Sequence, residues 1–313
     1  MIRRRFFQLG FFVAVALGAP LVVAPALFAA DAPQPYDNLL YEKVSEFNHI
    51  YVTVNDRGLL TLWFEIGGTM QSVVKLGDPD FLELDYCKVM PAGFTIVEDP
   101  KRVLIVGLGG GTLPSFFRKH YPHLKIDVVD IDPDVIDVAK TYFGFREDDN
   151  MKVYAKDGRK FIEECEEPYD IIFLDAFGAD SIPYDLVTRE FLEAVHKAVG
   201  PKGVVTANLW DRTINGSYDN MVRTYQEVFD DVCTIDVKHD SHNIILMASP
   251  RKDDFKKDDL VQRAKKIVKD KKYPMDLDEF IAEGFRREST KDPKATILMD
   301  KDKNKPKAEK KAA

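Results

Sequence analysis

Cysteine is scarce. The 313 residues contain three, Cys87, Cys165 and Cys233, and they are widely spaced. No Cys-x-x-Cys pair occurs, so neither a zinc site nor a redox dithiol is indicated. The three are read as small buried hydrophobes, with one disulfide left open if the chain is exported. Positive charge is also in deficit. Lys and Arg number 44 against 52 Asp and Glu, a formal net charge of -8. Arg3, Arg4 and Arg5 lie in a leader without acidic residues, so the remainder is more acidic still. This balance excludes nucleic acid as the main partner, because phosphate contacts need clustered cations. It suits a cationic substrate. Beyond residue 30 no apolar run reaches membrane length, and no internal repeat is found. His120-x-x-His123 and His239-x-x-His242 lack a third ligand and read as solvated histidines in polar loops, so no metal is expected. No Ser–His or Cys–His nucleophile pair can be discerned.

What is present begins with residues 1–32. A basic head precedes a long apolar run that ends in small residues, which is the build of a signal peptide. Arg3-Arg4-Arg5-Phe6-Phe7-Gln8 resembles a twin-arginine signal. The run is also long enough to span a bilayer, so residues 6–30 are either cleaved or kept as an anchor. Either way a periplasmic or otherwise exported location is expected, with membrane contact only through this segment.

Residues 33–88 read as a linker followed by a small antiparallel β module. The stretch 33–48 is mostly polar, with prolines at 33 and 35. Alternation then begins at Ile50, Val52 and Val54, and Leu60, Leu62 and Phe64 alternate after a polar turn closed by Gly58. From Val103 to Val106 the pattern becomes a continuous apolar run, as in a buried parallel strand. Strand and helix signals then alternate over residues 89–250, which predicts a Rossmann-like α/β domain with a mostly parallel sheet. Residues 251–300 read as a helical extension. Its helix over 254–270 places Leu260, Val261, Ala264, Ile267 and Val268 on one face packed against the domain. Residues 301–313 are lysine-rich and read as a disordered tail.

The first strand runs into Val106-Gly107-Leu108-Gly109-Gly110-Gly111-Thr112, just before a helix. Glycines let backbone approach a ligand, and the helix start offers free N–H groups. A dinucleotide fingerprint would place Gly or Ala at Thr112. Asp130 ends the second strand, where a carboxylate can accept from ribose hydroxyls. Asp157-Gly158 follows the third strand, where an acid can accept from an adenine amino group, and Asp175 ends the fourth. Each alone suits a cap or turn; together they converge on one crevice.

From about Tyr41 to Ala248 the chain resembles the spermidine synthase-like family of polyamine aminopropyltransferases, relatives of the class I methyltransferases. The matching segments are Tyr41-Glu42-Lys43-Val44-Ser45, Gly68-Thr69-Met70-Gln71, the 106–112 loop, Asp130-Ile131-Asp132-Pro133, Asp157-Gly158, and Asp175-Ala176-Phe177 through Ile182-Pro183. The resemblance implies a co-substrate, decarboxylated S-adenosylmethionine or S-adenosylmethionine itself, and a small-molecule amine partner. It implies nucleoside contacts at Gln71, Gly107, Gly109, Gly111, Asp130, Asp157 and Gly158, and a homodimer. The chain departs from that family at Gly110, where members usually carry an aspartate, and at Gly178, where they carry a catalytic one. Of their Tyr-His-Glu run only Tyr86 remains. Asp175, Asp180 and Tyr86 are therefore the candidate catalytic groups. Three functions stay open: an aminopropyltransferase, a methyltransferase, and a non-catalytic exported binding or scaffold protein.

Overall fold

The computed structural model describes residues 38–178, 181–237, 241–252 and 255–303. Four strands, β1 (Asn38–Val44), β2 (His49–Val54), β3 (Leu60–Trp63) and β4 (Met70–Val74), form an antiparallel sheet in sequence order. The stretch read as linker thus holds a strand. Nearly all of β1 is exposed, so it carries no apolar alternation; pairing with β2, from Asn38↔Val54 to Val44↔His49, defines it. The buried face of the module, Ile50, Val52, Leu60 and Leu62, packs on Val135, Val138 and Phe143 of the main domain.

A short helix, α1 (Asp85–Val89), and a 3-10 turn (Met90–Thr95) lead into the main domain. Its elements are β5 (Arg102–Val106), α2 (Thr112–His120), β6 (Lys125–Asp130), α3 (Pro133–Thr141), β7 (Met151–Ala155), α4 (Gly158–Glu163), β8 (Tyr169–Leu174), α5 (Arg189–Ala198), β9 (Val199–Trp210), α6 (Tyr218–Val228), β10 (Asp231–Asp236) and β11 (Asn243–Ser249). Then come α7 (Lys257–Lys271), α8 (Leu277–Gly284) and β12 (Phe285–Arg287). The eight-stranded sheet runs β12-β10-β11-β9-β8-β5-β6-β7, parallel from β9 to β7 and antiparallel from β9 to β12. The extension therefore holds more than helices: β12 joins the sheet edge beside β10. The helix expected at 254–270 is α7, which buries Leu260 and Ala264 against the domain.

Strand β5 shows why its apolar run is continuous. Val103 and Ile105 enter the core on one face of the sheet, while Leu104 and Val106 enter the core on the other. The chain steps from β5 outward through β6 to β7, then returns to β8 on the other flank of β5. Parallel sheets open a crevice beyond the strand ends at such a reversal. The first residues after β5 and β8 are Gly107 and Asp175. Among the described residues no helix is long and apolar enough to cross a membrane. All three cysteines are unpaired; Cys87 and Cys233 are buried and Cys165 is partly exposed.

Candidate functional site

The crevice at the reversal is a cleft of about 1120 Å³, including its open mouth. Its floor is the loop after β5. Gly107 has φ +100, and a Cβ there would land on the carbonyl oxygen of Asp175, so only glycine lets the ends of β5 and β8 come together. Gly107 N–H donates to Val129 O (2.8 Å) and Asp175 N–H to Val106 O (2.8 Å). Gly111, with φ +77, is the N-cap of α2. The β module holds this loop from above: Gly110 N–H donates to Ser72 Oγ on β4 (2.8 Å). Gly110 faces Ser72 and Phe143, not the cleft. Thr112 opens α2 at the cleft wall with a buried hydroxyl that has no partner. Such a group calls for a ligand or water.

Three strand-end carboxylates line the same cleft. Asp130 accepts from Leu108 N–H (2.8 Å) and Asp132 N–H (3.0 Å). Burial pushes its carboxyl up to about 6 against the pull of those N–H groups. A carboxylate has about four lone-pair sites, so these bonds leave capacity for ribose hydroxyls. Asp132, itself fully buried, caps α3 and accepts from Ser45 (2.5 Å) and Asn48 (3.0 Å), which ties the β module to this corner. Asp157 caps α4 by accepting from Lys160 N–H (3.1 Å) while lining the cleft. Gly158 beside it packs on Val106, where a Cβ would meet Cγ1 at 2.6 Å.

Asp175 sits at the centre. Asn208 Nδ2 on β9 donates to one oxygen (3.0 Å), and the Tyr86 hydroxyl on α1 donates to the other (3.2 Å). Asn208 in turn accepts from Asn243 Nδ2 on β11 (2.9 Å), which accepts from Ser241 (2.7 Å). Burial pushes the Asp175 carboxyl up to about 7, opposed by the donors from Asn208 and Tyr86. Burial, then the neighbouring Asp175, drives the Tyr86 phenol well above its ordinary range, so it stays a donor. A second cavity of about 1090 Å³ meets the cleft at Gln71, Tyr86 and Phe177.

The far wall is held by the end of the described chain. Tyr184 OH donates to Met299 O (3.0 Å), Arg189 N–H to Leu298 O (2.7 Å), and Asp300 N–H to Glu190 (3.0 Å). Asp300 also grips the cleft-lining Arg159 through two bonds of 2.7 Å. Asp185, on the same wall, pairs with Lys303.

The structure brings Gln71, Gly107, Gly109, Asp130, Asp157, Gly158, Asp175 and Tyr86 around one cleft, with Gly111 just behind it. Asp180 lies outside the described residues, as do the leader, His239 and the tail beyond Lys303. Gly178 donates its N–H to Ser181 O (2.9 Å) and brings no side chain. Asn208, Asn243, Ser72, Arg159 and Asp300 escaped the sequence reading. Of these, only Asn208 gives a signal, as a polar residue inside an apolar strand. The solvated-loop reading of His120 is corrected. It ends α2, nearly buried, with Asp80 (2.7 Å) and Lys271 O (2.8 Å) on its two ring nitrogens. It is a tie between elements. Among the described residues no group of three His, Cys, Asp or Glu side chains is arranged to hold a metal.

Residues 88–244 match the spermine/spermidine synthase domain family. The chain is 35% identical over 166 residues to the polyamine aminopropyltransferase of Vibrio vulnificus, covering 52% of this chain and 55% of that protein. It is 34% identical over 171 residues to the human eEF1A lysine and N-terminal methyltransferase, covering 49% and 24%. It thus spans about half of the first relative and a quarter of the second. Among solved structures, a spermidine synthase in complex with the transition state analogue AdoDATO superposes with a TM-score of 0.64 at 21% identity, covering 79% of this chain and 85% of that one. Human methyltransferase-like protein 13 in complex with SAH gives 0.55 at 29% identity, covering 61% and 94%.

Proposed function

The chain belongs to the spermine/spermidine synthase domain family, and from that premise we propose that it transfers an aminopropyl group from decarboxylated S-adenosylmethionine to an amine. The nucleoside lies in the cleft. Asp130 accepts from the ribose, Asp157 and Gly158 frame the base, and the Thr112 hydroxyl gains the partner it lacks. The amine enters from the second cavity. Its nitrogen attacks the carbon beside the sulfonium; the N–C bond forms, the C–S bond breaks, and methylthioadenosine leaves as a neutral thioether. The proton shed by the amine passes to Asp175. A carboxylate raised to about 7 is a stronger base than an ordinary one and is still ionised for much of the time near neutrality. Tyr86 and Asn208 hold it in place, and alignment of nitrogen and carbon supplies most of the rate.

The charge of the cleft carries this reading. Asp130, Asp157 and Asp175 line it without a cation partner among the described residues; Asp185 is paired with Lys303, and the lining cation, Arg159, is already engaged by Asp300. A decarboxylated donor brings only positive charge. An intact methionine tail brings a carboxylate, and a like charge about 6 Å from a cleft aspartate costs about 3 kcal/mol at an effective dielectric of 20. Calorimetric titration of the protein with both donors tests this, with tighter binding of the decarboxylated form by about 100-fold expected. Preference for the intact form would sink the proposal and favour methyl transfer. Absence of heat with either donor would favour a binding or scaffold role. The leader, outside the described residues, supports export of whichever function holds.

A further inference from the structure

The second cavity has a character of its own. Near the cleft it is polar: Tyr86 and Asn208, both bonded to Asp175, form its inner end. Farther out it is apolar. The rings of Phe177 and Trp210 lie 5.2 Å apart at 37°. Met70 and Ile214 stand at the mouth 41% and 49% exposed, two of the few large apolar side chains held out in water. Apolar surface gathered beside a pocket marks the place of an apolar occupant.

The charges agree. Among the described residues the cavity has two carboxylates of its own, Glu83 and Asp85. Each already faces a cation, Arg57 at 3.4 Å and Lys88 at 2.6 Å. His242, at the outer end, lies 3.3 Å from Asp211. The other polar groups there, Gln71, Asn208, Asn243, Thr69 and Ser241, are neutral. Gly178 adds no carboxylate. Among the described residues, a second ammonium would meet rings and methyls, or would have to displace Arg57 or Lys88.

Resting on the amine-alkylating reading above, we propose that the acceptor is a primary amine with a single positive charge, carried on an apolar body of aromatic size. Its nitrogen lies at the Tyr86–Asp175–Asn208 end, and its body lies between Phe177, Trp210, Met70 and Ile214. Stacking on the two rings orients the body, and among the described residues Asp175, at the inner end, is the carboxylate left without a cation to meet the amine.

The test supplies the protein with decarboxylated S-adenosylmethionine and follows release of methylthioadenosine. Putrescine, spermidine, 2-phenylethylamine and tryptamine are compared as acceptors. The arylalkylamines are expected to exceed putrescine at least tenfold in kcat/KM. Ile214→Asp is expected to lower that value about tenfold, through KM, without moving donor affinity; Ile214→Leu is expected to restore it. Preference for putrescine or spermidine would overturn the single-charge acceptor while leaving amine alkylation standing. An Ile214→Asp variant with unchanged arylalkylamine KM would also overturn it. Turnover of none of the four by protein that binds the donor would overturn both readings.

Discussion

Replacing Asp175 by Asn should change how stability depends on pH, whatever the acceptor proves to be. The carboxyl rises from an ordinary value near 4 in the unfolded chain to about 7 in the fold, mainly through burial. A folded value above the unfolded one means the folded state binds the proton more tightly. That contribution is fully present below pH 4 and is lost as pH rises through 7. Between pH 5 and pH 8.5 the loss comes to about 2.7 kcal/mol by linkage. Asp175 keeps part of its surface open to the cleft, and water there trims the effect, so about 1.4 kcal/mol is a reasonable lower figure. Asn has the same shape and does not titrate. Its altered bonds to Tyr86 and Asn208 add an offset that does not vary with pH. The Tm of Asp175→Asn minus that of the native chain should therefore climb by about 3–5 °C from pH 5 to pH 8.5, at roughly 2 °C per kcal/mol. Ligand-free protein followed by calorimetry or circular dichroism gives the answer. A difference that stays flat across that range would mean Asp175 titrates like a surface carboxyl, and the case for it as a base near neutrality would fall.

Two further outcomes are expected. Asp300→Ala should leave Arg159 held mainly by Glu163 and loosen the wall at 183–190, weakening binding of methylthioadenosine about tenfold while Asp300→Glu restores most of it; unchanged affinity would show that the C-terminal segment does not shape the cleft. A chromogenic thiol reagent should titrate no more than one cysteine in the native protein, Cys165, because burial pushes the thiols of Cys87 and Cys233 upward and hides them; denatured protein without reductant should show all three.

The sequence was most legible where local pattern and tertiary role coincide. The run Val103–Val106 is apolar at every position because both faces of β5 are covered, and the glycines behind it are demanded by backbone contact with Asp175. Aspartates at the ends of β6 and β8 announce themselves because strand ends in such a sheet face the crevice. Strand β1 was illegible because an exposed edge strand needs no alternation; its partner β2 defines it. His120 looked polar because its neighbours Arg118 and Lys119 are, yet its burial comes from Asp80 and Lys271, far off in the chain. Asn208 could be seen as odd but not as a partner of Asp175, since that bond depends on the sheet order β9-β8. Arg159 and Asp300 carry no local sign of each other.

That last pair sets an order of events. The two residues are 141 positions apart, and closing so long a loop costs least entropy once most of the intervening chain is already in place. The clasp at the cleft wall is thus expected to form late in folding. Contacts absent from the transition state govern how fast a protein comes apart more than how fast it assembles. Weakening Asp300 would then shorten the lifetime of the native state with little effect on refolding, and the closing stretch of the described chain would act as a brake on unfolding.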